Sequence, residues 1–96
     1  MPTHAQRTIT FAVWGPIERD DVPGLCDRIC ALFAAERPVA AFCDVRGVEP
    51  TAACFDALAR LQLAARRTGC LVRLRNGSAE LLALVELLGL SDVLPE

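Results

Sequence analysis

Three short apolar segments alternate with three helical patterns along this chain, and this alternation limits the folds that it can adopt. The apolar segments, which favour strands, cover residues 8–15, 39–45 and 70–75. In the last of them Arg73 and Arg75 alternate with Leu74, so one side of that strand is expected to be exposed. In the segments that separate these strands, apolar residues recur at the spacing of amphipathic helices. This order predicts an α/β fold with a mostly parallel sheet and right-handed crossovers.

The helical patterns carry start and stop signals. They cover residues 25–37, 51–69 and 79–90. Pro38 ends the first helix, Gly69 suits the C-cap of the second, and Ser78 suits the N-cap of the third. Segment 39–45 is almost wholly apolar, which predicts a central strand covered on both faces. One stripe of the last helix is expected to pack in the core: Leu81, Leu84, Val85 and Leu88.

Size and charge exclude several classes of protein. The 96 residues, 53% of them hydrophobic, suffice for one small domain over 1–96, with residues 1–7 expected to be flexible. With 10 basic and 12 acidic residues, the net charge of −2 does not favour nucleic-acid binding. No apolar run reaches the roughly 18 residues of a membrane span, and the N-terminus lacks the apolar core of a signal peptide. These features predict a cytoplasmic protein without membrane insertion.

The cysteines offer little chemistry by their pattern. They are Cys26, Cys30, Cys43, Cys54 and Cys70. An odd number without an export signal argues against a disulfide framework. Cys26 and Cys30 lie one helical turn apart, but two thiols without a second pair are weak metal ligands. The single histidine, His4, is remote from every candidate nucleophile. The sequence therefore predicts no metal, no cofactor and no catalytic site.

Two stretches carry a family resemblance. "CDVRGV", a helix rich in Leu and Ala, and then "GCLVRLRNGSAELLALVELLGLSDVLP" resemble a STAS domain, the fold of bacterial anti-sigma-factor antagonists. The C-terminal half of that family runs Gly, apolar strand, Asn-x-Ser-Pro-x-Val/Leu, and ends in Leu-x-x-x-Gly-Leu-x-x-x-Leu. The matching positions here are Asn76, Ser78, Leu81, Val85, Gly89, Leu90 and Leu94. Ala79 replaces the Pro and Val85 replaces the first Leu of the ending. The resemblance covers residues 11–95.

The N-terminal half of the resemblance is looser. In the family two strands precede the first helix, and the second of them ends in Gly-x-Ile/Leu-Asp. "WGPIERDD" supplies Gly15 and Ile17 at this exit. Residues 1–10 leave room only for a short or truncated first strand. The resemblance thus implies a STAS-like mixed sheet of about four short strands, mostly parallel, with three or four helices.

The turn before the second helix departs from the family pattern. The family carries Asp-Ser-Ser/Thr-Gly there, and a kinase that is also the anti-sigma factor phosphorylates one hydroxyl, which switches binding off. In an ungapped alignment these positions are occupied by Ala52, Ala53, Cys54 and Phe55. The nearest hydroxyl belongs to Thr51, a candidate phosphorylation site. This departure implies that the turn still serves for docking but no longer carries the hydroxyl whose phosphorylation would control binding.

The resemblance implies a non-enzymatic module that binds an anti-sigma factor or a histidine-kinase-like ATPase protein. Its expected contact surface joins the exit of the first strand, residues 15–20, to the loop and helix start after the second strand, residues 46–56. The residues predicted to contact the partner are Gly15, Pro16, Glu18, Asp20, Arg46, Gly47, Val48, Thr51, Ala53, Cys54 and Asp56. The alternative is a STAS subunit of a lipid-transport ATPase complex, or a nucleotide-binding regulatory subunit. A homodimer through unpaired sheet edges is a further option.

Individual residues of this surface have structural alternatives. Cys54 is either a reactive thiol activated at a helix N-terminus or a small residue that fills space. Thr51 is either a phosphorylation site or a helix N-cap. Asp44 is either a ligand group at the carboxyl edge of the sheet or a brace for the following loop. Asp56 is expected to be a solvated partner of the helix dipole.

Overall fold

A computed structural model describes residues 7–96, in which three strands alternate with three helices. The elements are β1 (Thr8–Trp14), α1 (Val22–Glu36), β2 (Ala40–Gly47), α2 (Ala52–Arg67), β3 (Leu71–Arg75) and α3 (Ala79–Leu87), with a single 3-10 turn at Arg19–Asp21 before α1. Of the segment 1–7 expected to be flexible, residues 1–6 lie outside the described part. Arg7 is tied to its surroundings: its carbonyl accepts from the Val39 amide and its guanidinium contacts Glu36, both at 2.8 Å.

The sheet has the order β1-β2-β3, and both pairings are parallel. In its register Cys43 lies between Phe11 and Leu74. The predicted α/β class with a mostly parallel sheet is confirmed. The expected count of about four strands is wrong for residues 7–96, which form three strands. A fourth strand is missing because only three described segments, 8–15, 39–45 and 70–75, have a strand pattern, and each forms one strand. The rest of residues 7–96 is helix, turn or loop.

Both α1 and α2 lie on the same side of the sheet. The strands follow one another in chain order, so successive right-handed crossovers place their helices on one face. The rings of Phe11 in β1 and Phe33 in α1 meet edge to face, with centroids 6.2 Å apart. We call this covered side the inner face; its side chains belong to Ile9, Phe11, Val13, Ala41, Cys43, Val45, Val72 and Leu74.

The opposite side of the sheet, the outer face, carries exposed or half-buried side chains. They belong to Thr8, Thr10, Ala12, Trp14, Ala40, Phe42, Asp44, Leu71, Arg73 and Arg75. The expectation that β2 is covered on both faces is therefore wrong, because its outward-facing residues Ala40, Phe42 and Asp44 are only half-buried. In β2 buried and half-buried residues alternate from Ala40 to Val45, the pattern of a sheet with one solvated face.

Helix α1 begins three residues earlier than its apolar pattern predicts. Val22 is buried and starts the helix, and Pro23 stands in the first turn, where its missing N–H costs no helical hydrogen bond. The helix buries Leu25, Ile29 and Phe33 against the inner face and α2. It ends where Arg37 takes a left-handed conformation with φ of 48°.

Helix α2 is the central element of the core. Cys54, Leu58, Leu61 and Ala65 are all fully buried, as the predicted stripe requires. Gln62 is also buried, with 1% of its surface exposed. Its side-chain amide bridges the backbone of β3: Nε2 donates to the Val72 carbonyl at 2.8 Å, and Oε1 accepts from the Val72 amide at 2.9 Å. Nε2 also donates to the Val93 carbonyl at 2.7 Å. A side chain thus satisfies backbone groups that a fourth strand would otherwise pair.

The C-terminal segment protects the same edge of the sheet. Leu94 is buried, and the Leu74 amide donates to the Pro95 carbonyl at 2.7 Å. Together with Gln62, this contact occupies backbone groups of β3 that face away from β2. The edge of β1 that faces away from β2 has no paired strand among residues 7–96. The two edges of the sheet are therefore unequal.

Helix α3 is the least buried helix. Ser78 caps it, since its Oγ accepts from the Leu81 amide at 3.1 Å, and Gly89 ends it with φ of +73°. Of its predicted core stripe, Leu81 and Val85 are buried, Leu84 is half-buried, and Leu88 is 56% exposed. The helix therefore packs through a narrower face than its sequence predicts. In the described part of the chain, every helix is too short or too polar to cross a bilayer.

Candidate docking surface

The two segments predicted to contact a partner lie side by side. They follow β1 and β2, which are parallel neighbours, so both leave the sheet at its carboxyl edge. The Gly15 amide donates to the Gly47 carbonyl at 3.0 Å. A Cβ on Gly15 would lie 3.4 Å from the Glu49 amide nitrogen, so the two backbones run in close contact. Two stretches about 30 residues apart in the chain form one continuous surface.

The segment after β1 exposes its polar residues over one buried anchor. Ile17 is only 6% exposed and fixes the segment to the core. The following turn is closed by Asp21, whose Oδ2 accepts from the Glu18 amide at 2.9 Å. Pro16, Glu18 and Asp20 are exposed. These three predicted contact residues are free to meet another molecule.

Asp44 braces the exit of β2. Its Oδ1 accepts from the Arg46 amide at 3.0 Å, and its Oδ2 accepts from the Asn76 side chain at 3.2 Å. The Arg46 guanidinium lies 3.3 Å from the same carboxylate. The Arg46 amide above all, then the Asn76 side chain and the charge of Arg46, lower the pKa of Asp44. The geometry is that of a brace between the exits of β2 and β3.

Trp14 dominates this edge of the sheet, although the sequence reasoning did not include it in the surface. Its side chain is 68% exposed. The indole ring lies directly over Gly47, where a Cβ would collide with Cε3, Cζ3 and Cδ2 of the ring. Gly47 is thus needed for the close approach of a neighbouring side chain. The signal in the sequence was alternation: Val13 points inward, so the tryptophan that follows it must point outward.

The start of α2 is a capped turn with small side chains. Thr51 is the N-cap, and its Oγ1 accepts from the Cys54 amide at 3.1 Å. Ala52 is exposed and Ala53 is half-buried. The helix therefore begins with a capped turn whose outer side chains are methyl groups. Backbone from another molecule could approach these positions closely.

Cys54 does not reach this surface. It is fully buried, and burial raises the pKa of its thiol to about 11. Position at a helix N-terminus was expected to lower the thiol's pKa, but loss of solvation outweighs that effect here. Val48 is also buried, at 7% exposure. Both residues support the loop from beneath, and neither offers its side chain to a partner.

A groove runs between the starts of α1 and α2. It encloses about 490 Å³. It is lined by Arg19, Val22, Pro23, Ala52, Ala53, Asp56 and Arg60. Asp56 accepts from Arg60 Nε at 3.0 Å, so its partner is a side chain of its own helix as well as the helix dipole. The lining of the groove therefore combines small and apolar side chains with the Asp56–Arg60 ion pair.

We call the joined region the docking surface. Its exposed residues are Trp14, Pro16, Glu18, Arg19, Asp20, Arg46, Ala52, Asp56 and Arg60, with Gly15, Gly47, Thr51 and Ala53 half-buried among them. Trp14 and Arg60, which lie outside the two predicted stretches, are the members that sequence reasoning missed. The place of Arg60 depends on how α1 and α2 pack, which no local pattern encodes. Within residues 7–96 there is no group of three side chains placed to ligate a metal ion.

Comparison with known proteins adds no relative. No protein-family model, curated protein or solved structure matches this chain. The resemblance to STAS domains therefore rests on the residues quoted above, and the family assignment stays a prediction.

Proposed function

We propose that this protein is a non-enzymatic binding module that docks onto a regulatory partner through the docking surface. Following the STAS resemblance, the partner is an anti-sigma factor or a histidine-kinase-like ATPase protein of the cytoplasm. The observation that carries the proposal is the joining of the two loop segments, linked by the hydrogen bond from Gly15 to Gly47, beside a helix start of small side chains. A rigid edge of this kind suits recognition of another protein better than chemistry on a small molecule.

The composition of the surface is that of a protein interface. Tryptophan and arginine are the residues that most often dominate binding energy, and Trp14, Arg19 and Arg60 supply them here. The methyl groups of Ala52 and Ala53 cost little desolvation and leave room for a partner's backbone. Glu18 and Asp20 add exposed negative charge on either side of Arg19 in the chain, so a partner of mixed charge is expected.

The same geometry favours binding that phosphorylation does not control. Ala53 and Cys54 have no hydroxyl, and the Thr51 hydroxyl oxygen is occupied by the Cys54 amide. A phosphate on Thr51 would disturb the cap that starts α2. We therefore expect the partner to bind equally well with and without ATP, and mass spectrometry to find Thr51 unmodified after incubation with the partner and ATP.

Affinity capture with matched variants tests the proposal. The baits are the tagged wild type, Ala53→Glu, and Leu63→Glu as a control on the same helix, 59% exposed and outside the docking surface. We expect the wild type and the control to retain a protein with an anti-sigma or histidine-kinase-like ATPase domain. With that protein purified, Ala53→Glu should weaken binding at least about tenfold. Equal binding by all three baits, or release of the wild type by ATP, would contradict the proposal.

A further inference from the structure

The outer face of the sheet is not covered by α1 or α2. All-parallel sheets occur almost only with both faces covered, yet here α1 and α2 both lie on the inner face. The outer face combines small residues such as Ala12 and Thr10 with the exposed ring of Trp14 and the half-buried ring of Phe42. Such a face is flat and accessible, and it can accept a helix.

The outer face is also positively charged along β3. Arg73 and Arg75 both project from it and are exposed. Arg73 Nε donates to the backbone oxygen of Glu96 at 3.0 Å, so this guanidinium already has one partner within the chain. The guanidinium of Arg75 lies 4.3 Å from the centroid of the Phe42 ring, which holds its charge over the sheet. Asp44 is the acidic side chain on this face, and its carboxylate is already engaged by Arg46 and Asn76. The face therefore favours an acidic, apolar occupant.

Helix α3 has this chemistry. Its sequence, AELLALVEL, is apolar except for Glu80 and Glu86, and only Leu81 and Val85 are buried. A helix that is apolar on all sides is normally buried on all sides. The side opposite its core contacts is exposed, with Leu87 at 79%. We call this side the α3 stripe. With about 100° of rotation per residue, the order of its side chains around the helix axis is Glu86, Ala79, Ala83, Leu87 and Glu80. An apolar band of three residues is therefore flanked by two carboxylates.

We propose that the outer face of the sheet binds the α3 stripe of a second copy of this chain. The apolar band would cover the aromatic and small side chains of the outer face, and the carboxylates would pair with the arginines. Glu80 and Glu86 are separated by about 9 Å along the helix axis and by about 120° around it, and Arg73 and Arg75 by about 7 Å along a strand. The axial spacings are therefore similar, and the long side chains would reach the arginines from the two flanks of the apolar band. Each copy offers both surfaces, so two copies can cover each other's sheets in a closed dimer.

This dimer differs from one formed through sheet edges. Pairing at the unpaired edge of β1 would use backbone hydrogen bonds and leave the outer face and the α3 stripe exposed. The proposed dimer uses side chains and covers both. It also goes beyond the docking surface, with which it shares Trp14 at its margin.

Charge reversal with complementation tests the proposal. Three samples are compared by sedimentation equilibrium at roughly 100 µM, a concentration suited to weak interfaces: the wild type, Arg73→Glu/Arg75→Glu and Glu80→Arg/Glu86→Arg. We expect the wild type to be dimeric and each variant alone to be monomeric. An equimolar mixture of the variants should be dimeric again, because reversed sheet meets reversed helix and native sheet meets native helix.

Two further variants control for folding and for general surface effects. Leu87→Glu changes a residue that is 79% exposed, so it should fold normally and abolish dimerisation. Leu63→Glu, at a site 59% exposed on α2, should leave the dimer unchanged. A monomeric wild type would overturn the proposal, as would dimers that survive Leu87→Glu and both charge reversals. A mixture of folded variants that stays monomeric would overturn it as well.

Discussion

The two faces of the sheet are built from the same three strands but obey different constraints. On the inner face, Cys43, Val72 and Leu74 are almost completely excluded from solvent beneath α1 and α2. On the outer face, Trp14 and Arg73 are exposed. Side chains that alternate along one strand therefore serve packing on one side and remain available for contacts on the other. The comparison shows that burial in the core and exposure to solvent are separated residue by residue along each strand.

The largest expected difference between the faces lies in two leucines of β3. Leu74 is 1% exposed on the inner face, and Leu71 is half-buried on the outer face. Leu74→Ala should lower the free energy of unfolding by about 3 kcal/mol, because it leaves a cavity in the core, whereas Leu71→Ala should cost about 1 kcal/mol. Urea denaturation of dilute protein measures both. Equal losses would show that the outer face is as tightly packed as the inner one.

Rates of thiol labelling provide a chemical test of how deeply the cysteines of the core are buried. Burial raises the pKa of Cys43 to about 12 and that of Cys54 to about 11. At pH 8 the thiolate fraction of Cys54 is then roughly a hundredfold below that of an unfolded cysteine. We expect Cys43 and Cys54 to react with a maleimide at least about a hundredfold more slowly in native protein than in urea. Half-buried Cys26 should be less protected from the maleimide than Cys43 and Cys54. Peptide mass spectrometry gives each rate, and native labelling of Cys54 at the unfolded rate would refute its buried placement.

A smaller effect is expected where Trp14 covers Gly47. Gly47→Ala must displace the indole ring, which can move into solvent because it is already 68% exposed. The free energy of unfolding should therefore fall by less than about 1 kcal/mol, while the emission spectrum of this sole tryptophan changes. In the control Gly24→Ala, the new Cβ comes no closer than 3.6 Å to a neighbour, so emission should stay constant. Identical spectra for wild type and Gly47→Ala would contradict the stacking.

The smallest effect concerns Asp44 and its dependence on pH. Hydrogen bonds from the Arg46 amide and the Asn76 side chain lower the pKa of Asp44 below its ordinary value of 3.8. A carboxyl group with a lowered pKa in the folded state stabilises that state above its unfolded pKa, and the contribution is lost as pH falls through the folded pKa. The stability difference between wild type and Asp44→Asn should therefore be constant above pH 3.8 and shrink below it. Thermal unfolding across this range measures the difference, and one that grows in acid would contradict the brace.

Much of the local structure could be predicted from the sequence. Strands β1, β2 and β3 follow from β-branched and apolar runs, and α2 follows from its amphipathic period. The cap at Ser78 was predicted from residue type and position, a cap at Thr51 was one of the two roles considered for that residue, and the structure contains both caps. The candidate docking surface was predicted in part, because neighbouring parallel strands bring the ends of 8–15 and 39–45 to one edge.

The missed features all depend on contacts between distant segments. Gln62 has the sequence signature of a surface residue, yet it is buried because its amide matches the free backbone groups of β3. Trp14 joins the docking surface through Gly47, which is 33 positions away in the chain. The acidity of Cys54 is set by the depth at which α2 packs, and this overrides its place in the helix.

The sequence by itself determined the order of the elements and their approximate limits, since both depend on interactions within a few residues. Only the tertiary structure decided that both crossovers cover the same face, which leaves the outer face of the sheet and the α3 stripe exposed within residues 7–96. The physical reason is that burial and desolvation depend on what a segment packs against, and that neighbour is specified elsewhere in the chain.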